Sequence, residues 1–194
     1  MMRLLGVLVG AFCLMGVVGC STYVDGYDFT PRPALAQVPG TQPSEPPPVT
    51  ASVYVAGVRY NDDDDQIPPS IEIRMSVDNT SQGMVVLNPP DLNLTNGQGF
   101  QFMPPIVRPP TPINIEPMQS AYLTAYFPFP GGTSWDNVDL STLRLRWRLQ
   151  IGSRVVGQIV YFNRVPPVYY DPYWYGPPPP IWGYYGGVVI IHRR

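Results

Sequence analysis

The sequence of 194 residues has few of the side chains that carry common site chemistry. It contains one histidine, two cysteines and no lysine, and only 13% of its residues are charged. Twelve basic against fourteen acidic side chains give a net charge of -2, so we expect no basic surface for a nucleic-acid backbone. The single histidine, His192, and the scarce cysteines remove most routes to a zinc site or a histidine-activated nucleophile. These absences argue against nucleic-acid binding and against a zinc enzyme.

The first 19 residues have the composition of a secretory signal peptide. Arg3 precedes an apolar stretch from Leu4 to Val18, which is too short to count safely as a membrane span of roughly 20 apolar residues. The sequence Val17-Val18-Gly19-Cys20 at its end resembles the lipobox of bacterial lipoproteins. In that family the chain is cleaved before the cysteine, whose thiol receives a diacylglycerol, and the new amino terminus is usually acylated as well.

This resemblance implies that Cys20 is the lipid attachment site and that the protein meets the membrane through its acyl chains. Ser21 stands where the family's inner-membrane retention signal usually has Asp, which implies the outer membrane of a diderm cell envelope. The alternative is an ordinary signal peptide followed by a coincidental cysteine. Because Cys13 leaves with the signal and Cys20 would be acylated, we expect no disulfide in the mature protein.

Residues 20–50 contain seven prolines and little apolar periodicity, which predicts a disordered, extended tether after the lipidated cysteine. From residue 51 to residue 165 the pattern changes to period-two alternation, which is typical of strands with one buried face. The predicted strands are Val53–Tyr60, Ile71–Val77, Met84–Leu87, Ser120–Phe127, Leu143–Leu149, Val155–Phe162 and a hairpin that joins Leu92–Leu94 to Phe100–Phe102 through Asn96-Gly97.

Seven or eight short strands without sustained helical periodicity predict an all-β fold, a single antiparallel sandwich. The pattern resembles the immunoglobulin-like domains of exported bacterial proteins, although the Cys, Trp, Cys signature of antibody domains is missing. A closed barrel is the alternative architecture.

Residues 166–194 form a low-complexity tail rich in Tyr, Pro and Gly, similar to the tails of many bacterial envelope lipoproteins. Its rings, among them Tyr173, Trp174, Tyr175 and Trp182, are candidates for contact with an envelope protein, a glycan or a membrane interface. The alternative is an unfolded tail without a partner.

Four consecutive aspartates lie between two predicted strands. Asp62, Asp63 and Asp65 are candidates for a weak calcium site, but calcium loops usually space their carboxylates and add a glycine. The alternative is a solvated loop whose like charges discourage edge-to-edge pairing.

Arg144, Arg146 and Arg148 alternate with apolar residues and would lie on one strand face at intervals of about 6.8 Å. Guanidinium groups suit phosphate and carboxylate, so this stripe is a candidate for binding lipid phosphate, an acidic glycan or an acidic protein. The alternative is cross-strand pairing with acids such as Glu72 or Asp78.

The sequence contains no Gly-rich phosphate loop, no spaced set of metal ligands and no nucleophile motif. We therefore expect a binding or structural role without catalysis or a cofactor. The alternative function is a cell-wall glycan hydrolase, which would need two carboxylates roughly 5 to 9.5 Å apart in a groove.

Overall fold

Burial in the computed structural model follows the alternation along the arginine-containing segment. Leu143, Leu145, Trp147 and Leu149 are almost fully buried, whereas the arginines between them are exposed. The structure describes residues 23–40, 47–60, 67–110 and 112–167.

Eleven strands and two short 3-10 helices make up the regular structure of these residues. The strands are β1 (Phe29–Thr30), β2 (Ala34–Val38), β3 (Val49–Arg59), β4 (Ser70–Asn79), β5 (Val85–Leu87), β6 (Asn93–Asn96), β7 (Ile106–Arg108), β8 (Ile113–Ile115), β9 (Gln119–Pro128), β10 (Thr142–Ile151) and β11 (Arg154–Arg164). The 3-10 helices are Pro89–Asp91 and Trp135–Asn137. Within the described ranges there is no helix long and apolar enough to cross a membrane.

The strands form two antiparallel sheets that enclose one hydrophobic core. Sheet A has the order β2-β3-β4-β9-β7. Sheet B has the order β1-β11-β10-β5-β8, and β6 pairs with β10 beside β5. The core combines residues from both sheets, including Val53 and Ile73 from sheet A and Leu145 and Trp147 from sheet B. The predicted all-β class and antiparallel sandwich are therefore confirmed.

The predicted central strands are present with small changes in length, but the strand count is higher than expected. The hairpin at Asn96-Gly97 forms, although its second arm contributes only an isolated bridge between Thr95 and Gln101. Four strands were not predicted, namely β1, β2, β7 and β8. All four lie at the outer edges of the two sheets.

The prediction of a tether up to residue 50 is wrong for most of that segment. Ala34–Val38 pairs with β3, and Phe29–Thr30 pairs with β11. Residues 34, 36 and 38 are buried in alternation with exposed residues 35 and 37. The sandwich therefore begins near Tyr23, because this proline-rich segment supplies an edge strand of each sheet.

The start and the end of the sandwich lie side by side. The Val165 amide donates a hydrogen bond of 2.8 Å to the Asp28 carbonyl. The Arg164 guanidinium stacks over the Tyr27 ring, with 3.9 Å between its Cζ atom and the ring centroid. The hairpin turn at Gly152-Ser153 lies at the opposite end of β11. The strand from Arg154 to Arg164 is about 33 Å long at 3.3 Å per residue. We call the end that carries Tyr23 and Val165 the terminal end.

Candidate functional site

The predicted arginine stripe lies on the outer face of sheet B. Arg144, Arg146 and Arg148 project from β10 opposite its buried apolar residues. The Arg144 Nε donates a hydrogen bond of 3.1 Å to Thr95 Oγ1 on β6. On β11 the three arginines face Tyr161, Ile159 and Gly157. No acidic residue stands beside them in the register of these strands.

The alternative reading of the stripe, pairing with Glu72 or Asp78, is wrong. Both acids lie on β4 of sheet A, whereas the arginines lie on sheet B, so the core separates them. In the part of the chain that the structure describes, none of the three arginines has a carboxylate within 4.0 Å. Their charges are not neutralised by contacts within these residues.

A shallow groove of about 200 Å³ adjoins the stripe, lined by Pro90, Asp91, Asn93, Arg146 and Arg148. The groove forms where the chain crosses from β5 to β6. These two strands pair with different halves of β10, and a 3-10 helix connects them. The guanidinium groups of Arg146 and Arg148 can together bind a phosphate or a carboxylate in this groove. Asp91 supplies a single opposing charge at the rim.

A second cluster, not recognised in the sequence, surrounds Glu72 on sheet A. The Tyr23 hydroxyl donates a 2.7 Å hydrogen bond to Glu72 Oε2, and Arg74 Nε donates a 2.7 Å hydrogen bond to Glu72 Oε1. Arg74 Nη2 also donates to the Tyr23 hydroxyl oxygen at 3.2 Å. Arg59 Nη1 lies 3.9 Å from Glu72 Oε2. We call Tyr23, Glu72 and Arg74 the clasp.

The carboxylate of Glu72 lies within the clasp and is only 1% exposed. The alternation of apolar and polar residues along β4 predicts instead that it faces solvent. A buried carboxylate is tolerated when it is paired and hydrogen-bonded, and here two neighbours meet that need. No sequence signal could identify the arrangement, because Tyr23 and Glu72 are 49 residues apart. It follows from the position of Tyr23 beside the end of β3, where it forms a bridge with Arg59.

Burial and Glu72 change the acidity of the phenols near the clasp. The pKa of Tyr23 is raised to about 12. The largest cause is burial, followed by the hydrogen bond that Tyr23 donates to Glu72 and by the negative charge of Glu72. The pKa of Tyr126 is also raised, mainly by burial and secondly by Glu72. The hydrogen bond to Glu72 raises the pKa of Arg74. The clasp therefore extends the pH range over which Tyr23 keeps its proton further into the alkaline region.

The backbone leaves room for this arrangement at one glycine. Gly57 has a φ of 152°, and a Cβ atom built there would lie 3.0 Å from Tyr23 Cδ1. The register of β3 with β4 shifts between Val55 and Gly57. A bulge at this point brings the backbone close to the Tyr23 ring, which any larger residue would displace.

Several predicted site residues lie outside the described residues. These are Cys20, the calcium candidates Asp62, Asp63 and Asp65, and the tail residues Tyr173, Trp174, Tyr175 and Trp182. Among the described residues, no group of three or more His, Cys, Asp or Glu side chains could hold a metal ion. The arginine-lined groove holds one carboxylate and a second groove on sheet A holds none, so neither supplies the pair that a glycan hydrolase would need.

No protein-family model and no curated protein sequence matches the chain. A solved structure, the FixG-related protein from Vibrio parahaemolyticus, is similar over 60% of this chain and 96% of its own, with 13% identity and a TM-score of 0.35.

We predict that replacing the stripe weakens binding to acidic surfaces without unfolding the domain. In a Cys20→Ser background, the triple change of Arg144, Arg146 and Arg148 to Gln should reduce partition onto anionic phospholipid vesicles at least tenfold, since each arginine near such a surface contributes about 1 kcal/mol. Vesicle sedimentation measures this partition. The free energy of unfolding should change little, because these arginines form no ion pair among the described residues and only Arg144 donates a side-chain hydrogen bond there, to Thr95.

The control for this measurement is Arg154→Gln, which removes one exposed arginine from the far end of the same sheet. Equal vesicle binding by the triple variant and the parent would remove the stripe as an anionic-lipid surface.

We also predict a loss of stability at alkaline pH that depends on Tyr23. The unfolded phenol ionises near pH 10, whereas the folded one holds its proton up to about pH 12. The unfolded state therefore loses its proton first, and the contribution of Tyr23 to stability, complete below pH 10, disappears as the pH rises to 12. Denaturant unfolding should show a steeper decline over this range in the parent than in Tyr23→Phe.

At neutral pH the Tyr23→Phe variant should lose about 1.5–3 kcal/mol of unfolding free energy, because it removes a hydrogen bond to a buried carboxylate. The matched control is Tyr122→Phe, since Tyr122 is highly exposed. Identical pH profiles for the parent and Tyr23→Phe would contradict the assigned role of the clasp.

Proposed function

We propose that the protein is a lipid-anchored lipoprotein of the bacterial cell envelope with a binding role, held at the outer membrane by Cys20. The observation that carries this proposal is the lipobox-like sequence Val17-Val18-Gly19-Cys20 at the end of the apolar segment, followed almost immediately by a folded domain. Two or three acyl chains would hold such a protein nearly permanently, since each buried methylene contributes about 0.8 kcal/mol.

The short connection after Cys20 supports a direct attachment to the membrane rather than a long tether. Only Ser21 and Thr22 separate Cys20 from Tyr23. Three residue steps span at most about 11 Å when fully extended. A lipidated Cys20 would therefore keep the terminal end of the sandwich close to the lipid headgroups.

The clasp connects Tyr23, the described residue nearest to Cys20, to a central strand of sheet A. Tyr23 is bound through its side chain to Glu72 and Arg74 of β4, and the Val24 amide donates a 2.8 Å hydrogen bond to the Val58 carbonyl of β3. The chain segment nearest the proposed anchor is thus joined to two central strands of sheet A. A domain attached in this way is restricted in the orientations that it can take above the bilayer.

The outer face of sheet B supports the binding role. With the terminal end against the membrane, β10 runs away from the bilayer and carries Arg144, Arg146 and Arg148 at increasing height. Such a stripe can contact phosphate or carboxylate groups of an envelope molecule beside the protein. The described chain ends at Pro167, shortly after Val165, so the Tyr-rich tail starts at the terminal end.

The test is intact-mass analysis with membrane fractionation of the full chain expressed in a diderm host. We expect a mature protein that begins at Cys20, carries added acyl mass and sediments with the outer membrane. Cys20→Ser should abolish the added mass and the membrane association. Cys13→Ser, a change within the predicted signal peptide, is the matched control and should leave both unchanged. A soluble parent chain of unmodified mass would refute the proposed anchor.

A further inference from the structure

The outer face of sheet A contains a groove whose chemistry differs from that of the arginine stripe. It has a volume of about 220 Å³, and its lining includes Ser52, Tyr54, Arg74, Ser76, Tyr122 and Thr124. It crosses β3, β4 and β9, the three central strands of the sheet. Its walls are aromatic, and its floor consists mainly of small hydroxyl residues.

The strand register shows how the groove is built. One row across the sheet is Ser52, Ser76 and Tyr122, and the next row is Tyr54, Arg74 and Thr124. The two tyrosines thus occupy diagonal corners of a two-by-three arrangement, with Cα atoms about 12 Å apart from ordinary strand dimensions. The short side chains of Ser52 and Ser76 leave the space between them open.

The two tyrosines are presented differently. Tyr122 is 76% exposed, so most of its ring is available for contact. It protrudes because its cross-strand neighbour is the small Ser76 and because β7 pairs with β9 only from Thr124 to Tyr126. Tyr54 is partly buried, and the guanidinium of Arg32 lies 5.8 Å from its ring centroid.

Arg74 supplies a donor whose position is fixed. Its side chain is 48% exposed, yet its Nε is bonded to the buried carboxylate of Glu72 at 2.7 Å. Glu72, which also lies 3.9 Å from Arg59, offsets part of the charge of Arg74, and the remaining N–H groups of Arg74 can donate hydrogen bonds into the groove. None of the residues that line the groove is acidic.

We propose that this groove binds a neutral saccharide. A sugar ring presents a face of C–H groups, which packs against an aromatic ring, and an edge of hydroxyls, which needs donors and acceptors. Tyr54 and Tyr122 supply the rings, and Ser52, Ser76, Thr124 and Arg74 supply the hydrogen-bonding groups. The volume is below the range of most drug-sized ligand pockets, so the site takes a short stretch of a glycan with a dissociation constant near the millimolar range.

The saccharide site does not depend on the lipid anchor or on the arginine stripe. It lies on the opposite sheet, and its residues are within the described fold. Loss of acylation in Cys20→Ser would leave the groove intact. A failure of the saccharide proposal is therefore distinguishable from a failure of the proposed anchor.

The experiment is a titration of the full chain with chitotetraose, an uncharged oligomer of N-acetylglucosamine, followed by calorimetry or by chemical shifts. The protein is kept in a detergent without a sugar headgroup, because a glycoside detergent would compete for the site. We expect saturable binding that falls at least tenfold in Tyr122→Ala. Ser76→Leu, which fills the floor without removing a ring, should have the same effect.

The matched control is Tyr161→Ala, which removes a partly buried tyrosine from the outer face of sheet B and should leave the affinity unchanged. Far-ultraviolet circular dichroism of each variant establishes that the sandwich is retained. Absence of saturable binding at 10 mM of the probe, a ligand concentration about ten times the expected dissociation constant, would overturn the proposal. Binding that persists in both Tyr122→Ala and Ser76→Leu would place the sugar elsewhere and would overturn it as well.

Discussion

The close packing of β10 against sheet A is the interaction on which the rest of the structure depends. Trp147 is fully buried between the sheets, and the leucines on either side of it extend the same apolar face along the strand. Removing a buried tryptophan from such a core costs about 3–5 kcal/mol, a large part of the stability of a small domain. If Cys20 is acylated and Cys13 is removed, no disulfide supplements this core. The same strand presents its three arginines outward only because its opposite face is fixed in the core, so the candidate binding surface follows directly from the packing.

The central strands could be predicted from the sequence, whereas the edge strands could not. Ile71–Val77 and Leu143–Leu149 alternate over seven residues, long enough for period two to exclude a helix. In contrast, β1, β2, β7 and β8 have two to five residues and are bordered by prolines such as Pro33, Pro39, Pro105 and Pro112. Proline lacks the N–H that a central strand must donate but is tolerated at an edge, where one side of the strand has no neighbour. The prolines that suggested a tether are thus a feature of edge strands, and they also protect the edges from pairing with other chains.

The candidate sites also divide into one that could be predicted from the sequence and two that could not. The arginine stripe is encoded in one strand and could be predicted with its exposure, because alternation alone decides which side chains share a face. The clasp and the groove on sheet A combine residues from segments far apart in the chain, and they depend on the register of β3, β4 and β9 and on the bulge near Gly57. The hydrophobic pattern decides which face of a strand each side chain takes, but it does not say which strands from distant segments become neighbours. Glu72 is an example: the alternation in its strand predicts a solvent-exposed side chain, but it is buried in the fold against Tyr23 and Arg74.

The proposed attachment of the terminal end to the membrane can be tested by measuring how close each end of the sandwich lies to the lipid headgroups. Because neither Cys13 nor an acylated Cys20 would react with a thiol probe, a single introduced cysteine can be labelled in the lipidated protein in vesicles. Gln98 lies in the turn beside Thr142, near the terminal end, and Ser153 lies in the hairpin turn at the far end. Attachment of the terminal end predicts that a fluorophore on Gln98→Cys is quenched by a headgroup quencher and that one on Ser153→Cys is not. Equal quenching at both positions, or stronger quenching at residue 153, would contradict it.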